Sequence, residues 1–540
     1  MNRRTLLAAG TGLTATATWA TACDDDAGKA GGEATSADSA SASSSAPDAR
    51  TASASGRRGA IDGKPKSADW SALGKDLQGD LVRPGDSDYT SASRLYNTRF
   101  DHLRPAAVAY IENTSDISAC LDFARRHGAP VAIRNGGHSY AGWSSGDGRL
   151  VIDVSALSSI RTASGEARIG GGAKLIDVYT SLGARGVTVP GGSCPSVGIS
   201  GLTLGGGHGV VSRAYGLTSD SLTGATIVTA DGKALEVSKN READLFWALR
   251  GAGNGNFGVV TELRFRTHKA ADGVTCYMSW PWSKAAKVLS AWQKWGPDQP
   301  DEIWSALHLS AAPGGTPTVS ISCFSLGTYG ALQNAVDRLA DGPGGPGPAT
   351  RVSLRRRGYV DAMRMYAGCG DISTTNCHLP GDKPGRSTSG VLNRETYAAR
   401  SDFYDRSLSQ AGVRAMLDQV ERYGRRTGGG GAVSIALTAL GGAVNRVSPT
   451  ATSFVHRRSR FLAQYTASWA ASGSGSAGNT WLDGAHTAMR RYASGAAYQN
   501  YTDASLKDWR SAYYGTAADK LTRLKKRYDP DRLFDFPQAL

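Results

Sequence analysis

The chain has 540 residues, of which 40% are hydrophobic and 20% are charged, and its formal net charge is +14. This length exceeds what one hydrophobic core normally serves, so we expect more than one domain, and the composition excludes a wholly disordered chain. No apolar run of 18 or more residues occurs after the N-terminus, which excludes a polytopic membrane protein. The basic runs Arg355–Arg357 and Lys525–Arg527 are short and accompany no zinc-finger, RRM or homeodomain pattern, so we expect no nucleic-acid partner.

Residues 1–26 have the features of an export signal. The pair Arg3-Arg4 precedes a weakly apolar stretch ending near Ala22, which is typical of the twin-arginine pathway. Cys23 follows in a degenerate lipobox, and two outcomes stay open: lipid attachment at Cys23, or simple cleavage near Ala22. Residues 27–67 are rich in Ser, Ala and Gly, so we predict a disordered linker. The protein is therefore expected to be extracellular or anchored to the outer face of the cell membrane.

The seven cysteines predict one disulfide and no metal site. Export permits disulfides, and Cys369 and Cys377 bracket a short polar loop, so they are the predicted pair. Cys120 and Cys323 lie in apolar-periodic segments and are predicted to be buried thiols. No cluster of cysteine and histidine has the spacing of a zinc site, so we expect no metal.

Residues 105–270 alternate short strands with helices. Asn113 is positioned to cap a helix that ends near Gly128, and strands are predicted at 131–134 and 150–154. Between these strands lies the turn Arg134-Asn135-Gly136-Gly137-His138-Ser139. Successive backbone N–H groups at such a turn favour an anionic group such as a pyrophosphate.

Glycine is concentrated in the same region, where residues 130–260 hold 26 of the 68 glycines. Clusters at 134–142, 190–209 and 251–258 are typical of backbone that turns tightly or approaches a ligand closely. Residues 142–146 fit G-x-S-x-G, but a turn and a strand follow where a nucleophile elbow requires a helix. No strict G-x-G-x-x-G follows an early strand, so a Rossmann fingerprint is also rejected. The clusters predict one extended ligand.

Three of these segments together carry a specific resemblance: the turn with His138, the segment 191–198 with Cys194, and Gly-Gly-Gly-His-Gly at 205–209. They resemble the berberine-bridge-enzyme-like branch of the vanillyl-alcohol-oxidase, or PCMH-type, flavoprotein superfamily, which includes glucooligosaccharide oxidases and an aclacinomycin oxidoreductase. The resemblance covers about residues 85–540. It implies a bicovalent FAD, joined from His138 to the flavin 8α-methyl and from Cys194 to flavin C6. Imidazole and thiolate are nucleophiles suited to these bonds; the alternatives are a core histidine and an inert buried cysteine.

The resemblance implies further contacts around the flavin. FAD contacts are expected from Arg134, Asn135, Gly136, Gly137, Ser139, Gly198, Gly201, Gly205, Gly206, Gly207, Gly258, Val260, Asn500 and Tyr501. Val197 is of the small type that in this family leaves the oxygen path to the flavin open, which favours an oxidase. Plant alkaloid-forming members carry a catalytic Glu after a Gly-Gly pair, but residues 441–448 contain no carboxylate, which favours plain alcohol oxidation.

The implied fold class is α+β. Residues 68–272 form a PCMH-type FAD-binding domain, 486–540 return to complete it, and 273–485 form an inserted substrate domain of antiparallel sheet and helices. Within that domain, the patterns predict strands near 318–325, 432–440 and 461–469 and helices near 283–295, 330–339 and 410–423. Seven of the twelve Trp lie here, either to stack on sugar or polyketide rings or to pack a half-buried sheet.

The C-terminal sequence Tyr498-Gln499-Asn500-Tyr501 resembles the Tyr-x-Asn-Tyr element of the family. The second Tyr of that element acts as the base at the flavin, so Tyr501 is the predicted base and Tyr498 the second candidate. The alternative is a pair of tyrosines that pack a strand. A tyrosine pKa near ~10 is too high for a base at neutral pH, so a positive neighbour or the flavin must lower it.

These features predict an exported FAD-dependent oxidase. It transfers a hydride from an alcohol carbon of a carbohydrate or glycoside to the flavin, which dioxygen reoxidises to give hydrogen peroxide. The alternatives are an FAD-dependent dehydrogenase or secondary-metabolite tailoring oxidoreductase with another electron acceptor, and a non-catalytic surface lipoprotein that binds glycans. The expected partners are the alcohol substrate, dioxygen and the twin-arginine export machinery, and the protein is expected to be a monomer without a membrane span.

Overall fold

The computed structural model describes residues 63–428 and 430–540, so the predicted signal region, Cys23 and most of the predicted linker lie outside the described residues. Two sheets and a two-stranded pair form the N-terminal part, with the orders β1-β2-β4-β3, β5-β6-β10-β8-β9 and β11-β7. Their strands are β1 (Leu81–Val82), β2 (Ala107–Tyr110), β3 (Val131–Arg134), β4 (Leu150–Asp153), β5 (Ile160–Ala163), β6 (Glu166–Gly170), β7 (Val187–Thr188), β8 (Leu222–Val228), β9 (Ala234–Ser238), β10 (Val259–Arg266) and β11 (His268–Lys269).

Seven helices accompany these strands in the N-terminal part of the described chain. They are α1 (Ser67–Asp76), α2 (Tyr89–Ser93), α3 (Thr114–His127), α4 (Leu175–Gly183), α5 (Ile199–Leu204), α6 (Ser212–Tyr215) and α7 (Ala243–Leu249). Helix α3 begins where the Asn113 side chain accepts a hydrogen bond from the Asp116 N–H, and it ends at Gly128, whose φ of 61° favours glycine. Its apolar residues recur at helical spacing and are buried, which fixes its packing on the parallel strands β2, β4 and β3.

The substrate domain is built on a seven-stranded antiparallel sheet with the order β15-β12-β14-β13-β17-β18-β16. Its strands are β12 (Gly273–Trp280), β13 (Ile303–Ala311), β14 (Thr318–Ser325), β15 (Arg351–Arg357), β16 (Tyr397–Tyr404), β17 (Ala432–Ala439) and β18 (Phe461–Ser468). Its helices are α8 (Ala285–Trp295), α9 (Tyr329–Asp341), α10 (Tyr359–Tyr366), α11 (Gln410–Gly424), α12 (Gly442–Arg446) and α13 (Ser476–Arg490). Most of these helices pack on one face of the sheet, where alternate strand residues such as Leu307, Ile321 and Ile435 form the core.

The C-terminal segment returns to the N-terminal part through α14 (Trp509–Tyr514) and α15 (Ala518–Tyr528). Residues Ala512 and Leu521 join the same hydrophobic core as Ile169 of β6. Lys525 is buried and donates to the backbone oxygens of Asn256 at 2.8 Å and Phe534 at 2.7 Å, besides pairing with Asp529. This segment therefore completes the first domain, as the fold prediction required.

The predicted strands and helices of the substrate domain are all present with small shifts of their ends, and the α+β fold class is confirmed. The boundary expected after residue 485 falls inside α13, which packs on α11 and β18 and therefore belongs to the substrate domain up to Arg490. Cys369 and Cys377 form the predicted disulfide, and Cys120 and Cys323 are buried thiols. Within the described residues, no helix has the length and apolarity needed to cross a bilayer, and no His, Cys, Asp and Glu side chains cluster as metal ligands would.

Candidate active site

A cavity of about 410 Å³ separates the glycine loops of the first domain from the open face of the seven-stranded sheet. It is lined by most of the predicted site residues, which are Asn135, Gly136, Gly137, His138, Ser139, Cys194, Val197, Gly198, Gly201, Gly258, Val260, Tyr498, Asn500 and Tyr501. The fold thus gathers residues from four distant stretches of the chain around one space.

His138 follows strand β3 and lies in the wall of this cavity. Its ring stacks on Tyr96 at 3.9 Å between centroids, and its Nε2 lies 2.9 Å from the Ser196 hydroxyl oxygen. Burial, with a contribution from the nearby Lys174 ammonium, lowers the pKa of His138 from 6.5 to about 3. The imidazole is therefore neutral at neutral pH and keeps the lone pair that a nucleophile needs.

The loop that carries Cys194 packs directly against the loop that carries His138. A Cβ atom on Gly136 would lie 2.5 Å from the Ser196 carbonyl oxygen and 2.6 Å from the Gly198 nitrogen. A Cβ atom on Gly198 would overlap the Asn135 side chain, which donates to Ser200 Oγ at 3.1 Å. Cys194 also lies in the wall of the cavity, so the two predicted attachment residues line the same space.

Arg134 and Gly205–Gly207 lie outside the cavity lining. The Arg134 side chain pairs with Asp153 beneath the loop. Side chains on Gly205 and Gly207 would overlap Asn500 and Thr218, and Gly207 has a φ of 79° that favours glycine. These residues shape the backbone behind the site, and their direct contact with FAD stays a prediction.

Tyr501 lies next to His208, a histidine for which the sequence predicted no role. The Tyr501 hydroxyl lies 2.9 Å from His208 Nε2, and the Tyr501 ring stacks on Tyr140 at 5.2 Å. Burial lowers the pKa of His208 from 6.5 to about 4, so this imidazole is neutral at neutral pH. Burial, together with the phenols of Tyr140 and Tyr498, raises the pKa of Tyr501. No cation of the described chain lowers the Tyr501 pKa, so of the two expected causes the flavin is the one that stays a prediction.

Tyr498 is held in a different way from Tyr501. Its hydroxyl accepts hydrogen bonds from the Gly207 N–H at 2.9 Å and from the Asn500 amide at 2.8 Å. Burial raises its pKa. The Tyr498 oxygen thus already accepts two hydrogen bonds, whereas the Tyr501 hydroxyl lies next to His208 Nε2.

The sheet contributes neutral groups to the cavity. They are Tyr277, Trp304, Ala306, His308, Ser322, Tyr397, Ala436, Thr438 and Gln464. The Gln464 amide donates to the Tyr140 hydroxyl at 2.9 Å, which fixes that ring beside Tyr501. Two of the described residues that line the cavity belong to the Asp, Glu, Lys and Arg types, namely Arg149 and Asp535. They lie together at the end of the cavity formed by the first domain.

Of the seven Trp of the substrate domain, Trp304 lines the cavity, while Trp280, Trp292 and Trp481 pack in the domain core.

The donor groups of the cavity fit an FAD. Within the described chain, the backbone N–H groups of residues 136–139 donate to no protein acceptor, so they are free for phosphate oxygens. A Cβ atom on Gly201 would meet nothing within 4 Å, which leaves a flat wall for a planar ring. Buried polar atoms without a described partner also belong to lining residues, including Asn254 Oδ1 and Gln499 Oε1. These residues would hold the cofactor.

The glycine loops and the sheet face around this cavity fit an FAD, and similarity to known proteins identifies the class as an FAD-linked oxidoreductase. Residues 105–238 match the family model described as FAD binding domain, and residues 497–540 match the one described as Berberine and berberine like. The chain is 30% identical to a chitooligosaccharide oxidase of Gibberella zeae over 84% of this chain and 91% of that protein. It is also 30% identical to a xylooligosaccharide oxidase of Thermothelomyces thermophilus over 84% and 90%.

The solved structure of Physcomitrella patens BBE-like 1 has a TM-score of 0.77 and 28% identity, over 87% of this chain and 98% of that one. The chain therefore belongs to the berberine bridge enzyme-like family of FAD-linked oxidoreductases. Membership makes the protein an enzyme and replaces the alternative of a non-catalytic glycan-binding lipoprotein.

Proposed function

We propose that the protein is an exported oxidase of a carbohydrate or glycoside alcohol. The observation that carries this proposal is the Tyr501–His208 pair in a cavity whose sheet side is neutral and aromatic. Such a wall favours an uncharged hydroxylated substrate, which aromatic faces and neutral hydrogen-bonding groups can bind without a charge partner. Two relatives named as oligosaccharide oxidases support the same class of substrate. The Arg3-Arg4 signal supports export.

When bound, FAD supplies the hydride acceptor and the group that dioxygen reoxidises with release of hydrogen peroxide. His138, neutral and fixed by Tyr96 and Ser196, is the residue for attachment to the 8α-methyl, and the Cys194 thiol is the residue for attachment at C6. Val197 lines the cavity and is the small residue for oxygen access. The N–H groups of residues 136–139, which donate to no acceptor in the described part of the chain, would hold the phosphates.

The proton leaves the substrate hydroxyl through two side chains. Tyr501 accepts it while passing its own phenolic proton to His208 Nε2, 2.9 Å away. A phenol with a raised pKa is a poor base alone, and the adjacent neutral imidazole provides the acceptor. The proton then lies on His208, and Tyr501 returns to the phenol form. Gln464 and Tyr140 keep the Tyr501 ring in place.

The proposal is tested with purified protein in an oxygen electrode against mono- and oligosaccharides, secondary alcohols and glycosylated polyketides. We expect oxygen consumption with equimolar peroxide for a neutral sugar or glycoside. Turnover with a quinone or another acceptor in place of oxygen would instead identify a dehydrogenase or a tailoring oxidoreductase.

Acid precipitation tests the covalent attachment, because a covalently bound flavin stays with the protein pellet. We expect His138→Ala and Cys194→Ala each to retain one bond, and the double variant to release the yellow colour to the supernatant. Release from the wild-type protein would contradict the attachment, and retention by the double variant would contradict the residues chosen.

A further inference from the structure

A second, smaller cavity of about 40 Å³ lies on the reverse side of the loop that carries His138. Asn135, Gly136 and Gly137 line both cavities, so this loop is the wall between them. The volume has room for a few water-sized groups and is too small for a nucleotide or a sugar.

The wall of the second cavity is strongly basic. It contains Arg94, Arg134, Lys174, Lys383 and Arg386, against the single carboxylate of Asp153. Asp153 pairs with Arg134, and Lys383 pairs with Asp88 at 2.6 Å. Within residues 63–428 and 430–540, Arg94, Lys174 and Arg386 form no ion pair with a carboxylate. The lining of this small cavity therefore carries an excess of positive charge, with Asp153 as its one carboxylate.

One donor in this wall is buried without any partner. The Arg134 side chain is 5% exposed, and its Nη1 atom has no hydrogen-bond partner in the described chain, although its Nε bonds to Asp153. An unsatisfied guanidinium N–H at this depth is costly, and an anion oxygen in the cavity would satisfy it.

Lys174 contributes charge to the cavity. Its Nζ already donates three hydrogen bonds, to Asn135 Oδ1 at 2.6 Å and to Ser155 Oγ and the Gly172 oxygen at 3.0 Å each. Burial lowers the pKa of Lys174 to about 8 against the opposing attraction of Asp153 and Asp177, and the weaker repulsion from Arg134 and Arg386 lowers it further. Burial also lowers the pKa of Arg386, and Arg134 lowers it further. A bound anion would relieve this mutual repulsion.

We propose that this cavity binds a small inorganic oxyanion of the phosphate or sulfate type. Arg134 Nη1 and the Arg386 guanidinium supply the hydrogen bonds, and Lys174 and Arg94 supply further positive charge. Because residues 135–137 form the shared wall, the bound oxyanion stiffens the loop that positions His138 in the larger cavity. This oxyanion site does not depend on the proposed oxidase function, because it lies on the opposite face of the loop from the larger cavity.

The test uses the flavin-loaded enzyme and inorganic phosphate, titrated by calorimetry in a chloride buffer of matched ionic strength. We expect saturable binding of one phosphate per chain and a rise in Tm on the order of 2 °C at saturation. Phosphate and sulfate stabilise many proteins by exclusion from their surface, so the difference between variants is the decisive readout. Arg386→Gln is expected to weaken phosphate binding at least about 10-fold, since it removes a charged donor.

Arg422→Gln is the matched control, because Arg422 is exposed on α11 and lies away from the cavity; it is expected to bind phosphate as the wild type does. Arg94→Gln, at the exposed rim, gives a second variant if Arg386→Gln fails to fold, and it is expected to weaken binding less than Arg386→Gln. Absence of saturable binding to the wild-type holoenzyme would overturn the proposal. Equal affinities in the wild type, Arg386→Gln and Arg422→Gln would overturn it as well.

Discussion

The proton path from Tyr501 to His208 makes a quantitative prediction about two variants. A phenol whose pKa is above its usual value of ~10 is ionised in fewer than about one molecule in 10³ at pH 7. If the neutral His208 imidazole supplies the missing proton acceptor, then His208→Asn forces Tyr501 to act alone. We therefore expect the rate constant for anaerobic flavin reduction to fall by about 10²–10⁴-fold in His208→Asn.

Tyr501→Phe is expected to cause a loss of the same order, because it interrupts the same path at its first step. Groups that act as one unit are not additive, so the double variant is expected to be no slower than the slower single variant. Stopped-flow absorbance of the flavin, with substrate and without oxygen, measures the reduction step apart from reoxidation. His102→Asn is the matched control, since His102 is exposed and outside the cavity, and it is expected to keep the wild-type rate.

The pH dependence of the same rate follows from the pKa of His208. An imidazole with a pKa of about 4 is unprotonated throughout the neutral range and is therefore available to accept a proton. The rate of flavin reduction is expected to be flat above about pH 5 and to fall as the pH approaches 4. A rate in His208→Asn within about 3-fold of the wild type would refute the relay. Losses that multiply in the double variant would show that the two residues act independently.

Three further predictions concern stability and oxygen. Gly198→Ala is expected to cost about 1–3 kcal/mol and to reduce flavin loading, because its Cβ would overlap Asn135. Gly484→Ala, in open space inside helix α13, is the control; it is expected to keep the flavin and to stabilise by up to about 1 kcal/mol. Thermal unfolding and the visible spectrum measure both variants. The buried His138 and His208 have pKa values of about 3 and about 4, below that of an unfolded histidine. The unfolded chain therefore binds more protons, and each is expected to remove about 1.4 kcal/mol of stability per pH unit between 6.5 and its folded pKa, measurable as a Tm that falls with acidification. Val197→Leu is expected to slow flavin reoxidation by dioxygen at least about 10-fold with anaerobic reduction unchanged.

Helices and strands whose own sequence contains a cap, a stop residue or a regular apolar spacing were predicted from that local sequence alone. Helix α3 has a capping Asn113, a regular apolar spacing and a terminal Gly128, and strand β14 was placed at its observed bounds. Strand β15 was missed because Arg351–Arg357 is an edge strand with mostly exposed polar residues, so it lacks the alternation of a half-buried strand. Its pairing with β12 depends on the assembled sheet rather than on its own sequence.

The residues of the candidate site also fall into two groups: those that a local motif identifies, and those that only the assembled fold brings together. His138 and Cys194 stand in distinctive local motifs, so the sequence brought them forward before any fold was known. His208 was visible in the same glycine run, but its partner Tyr501 lies 293 residues later, and no local spacing connects the two. The Gln464–Tyr140 bond spans 324 residues and was missed for the same reason. Pairs of this kind are fixed by the packing of the two domains.

Within the second glycine cluster, Gly205 and Gly207 also have a packing role that composition alone did not indicate. Gly207 donates its N–H to the Tyr498 hydroxyl, and the Asn500 amide, which bonds to the same hydroxyl, also donates to the Leu202 carbonyl oxygen at 2.9 Å. Gly205 has no room for a side chain beside Asn500. The 205–207 part of the cluster is therefore glycine-rich because the C-terminal segment packs on its backbone, and this packing brings His208 next to Tyr501. A bulky residue at position 205 would clash with Asn500 and thereby displace His208 from Tyr501.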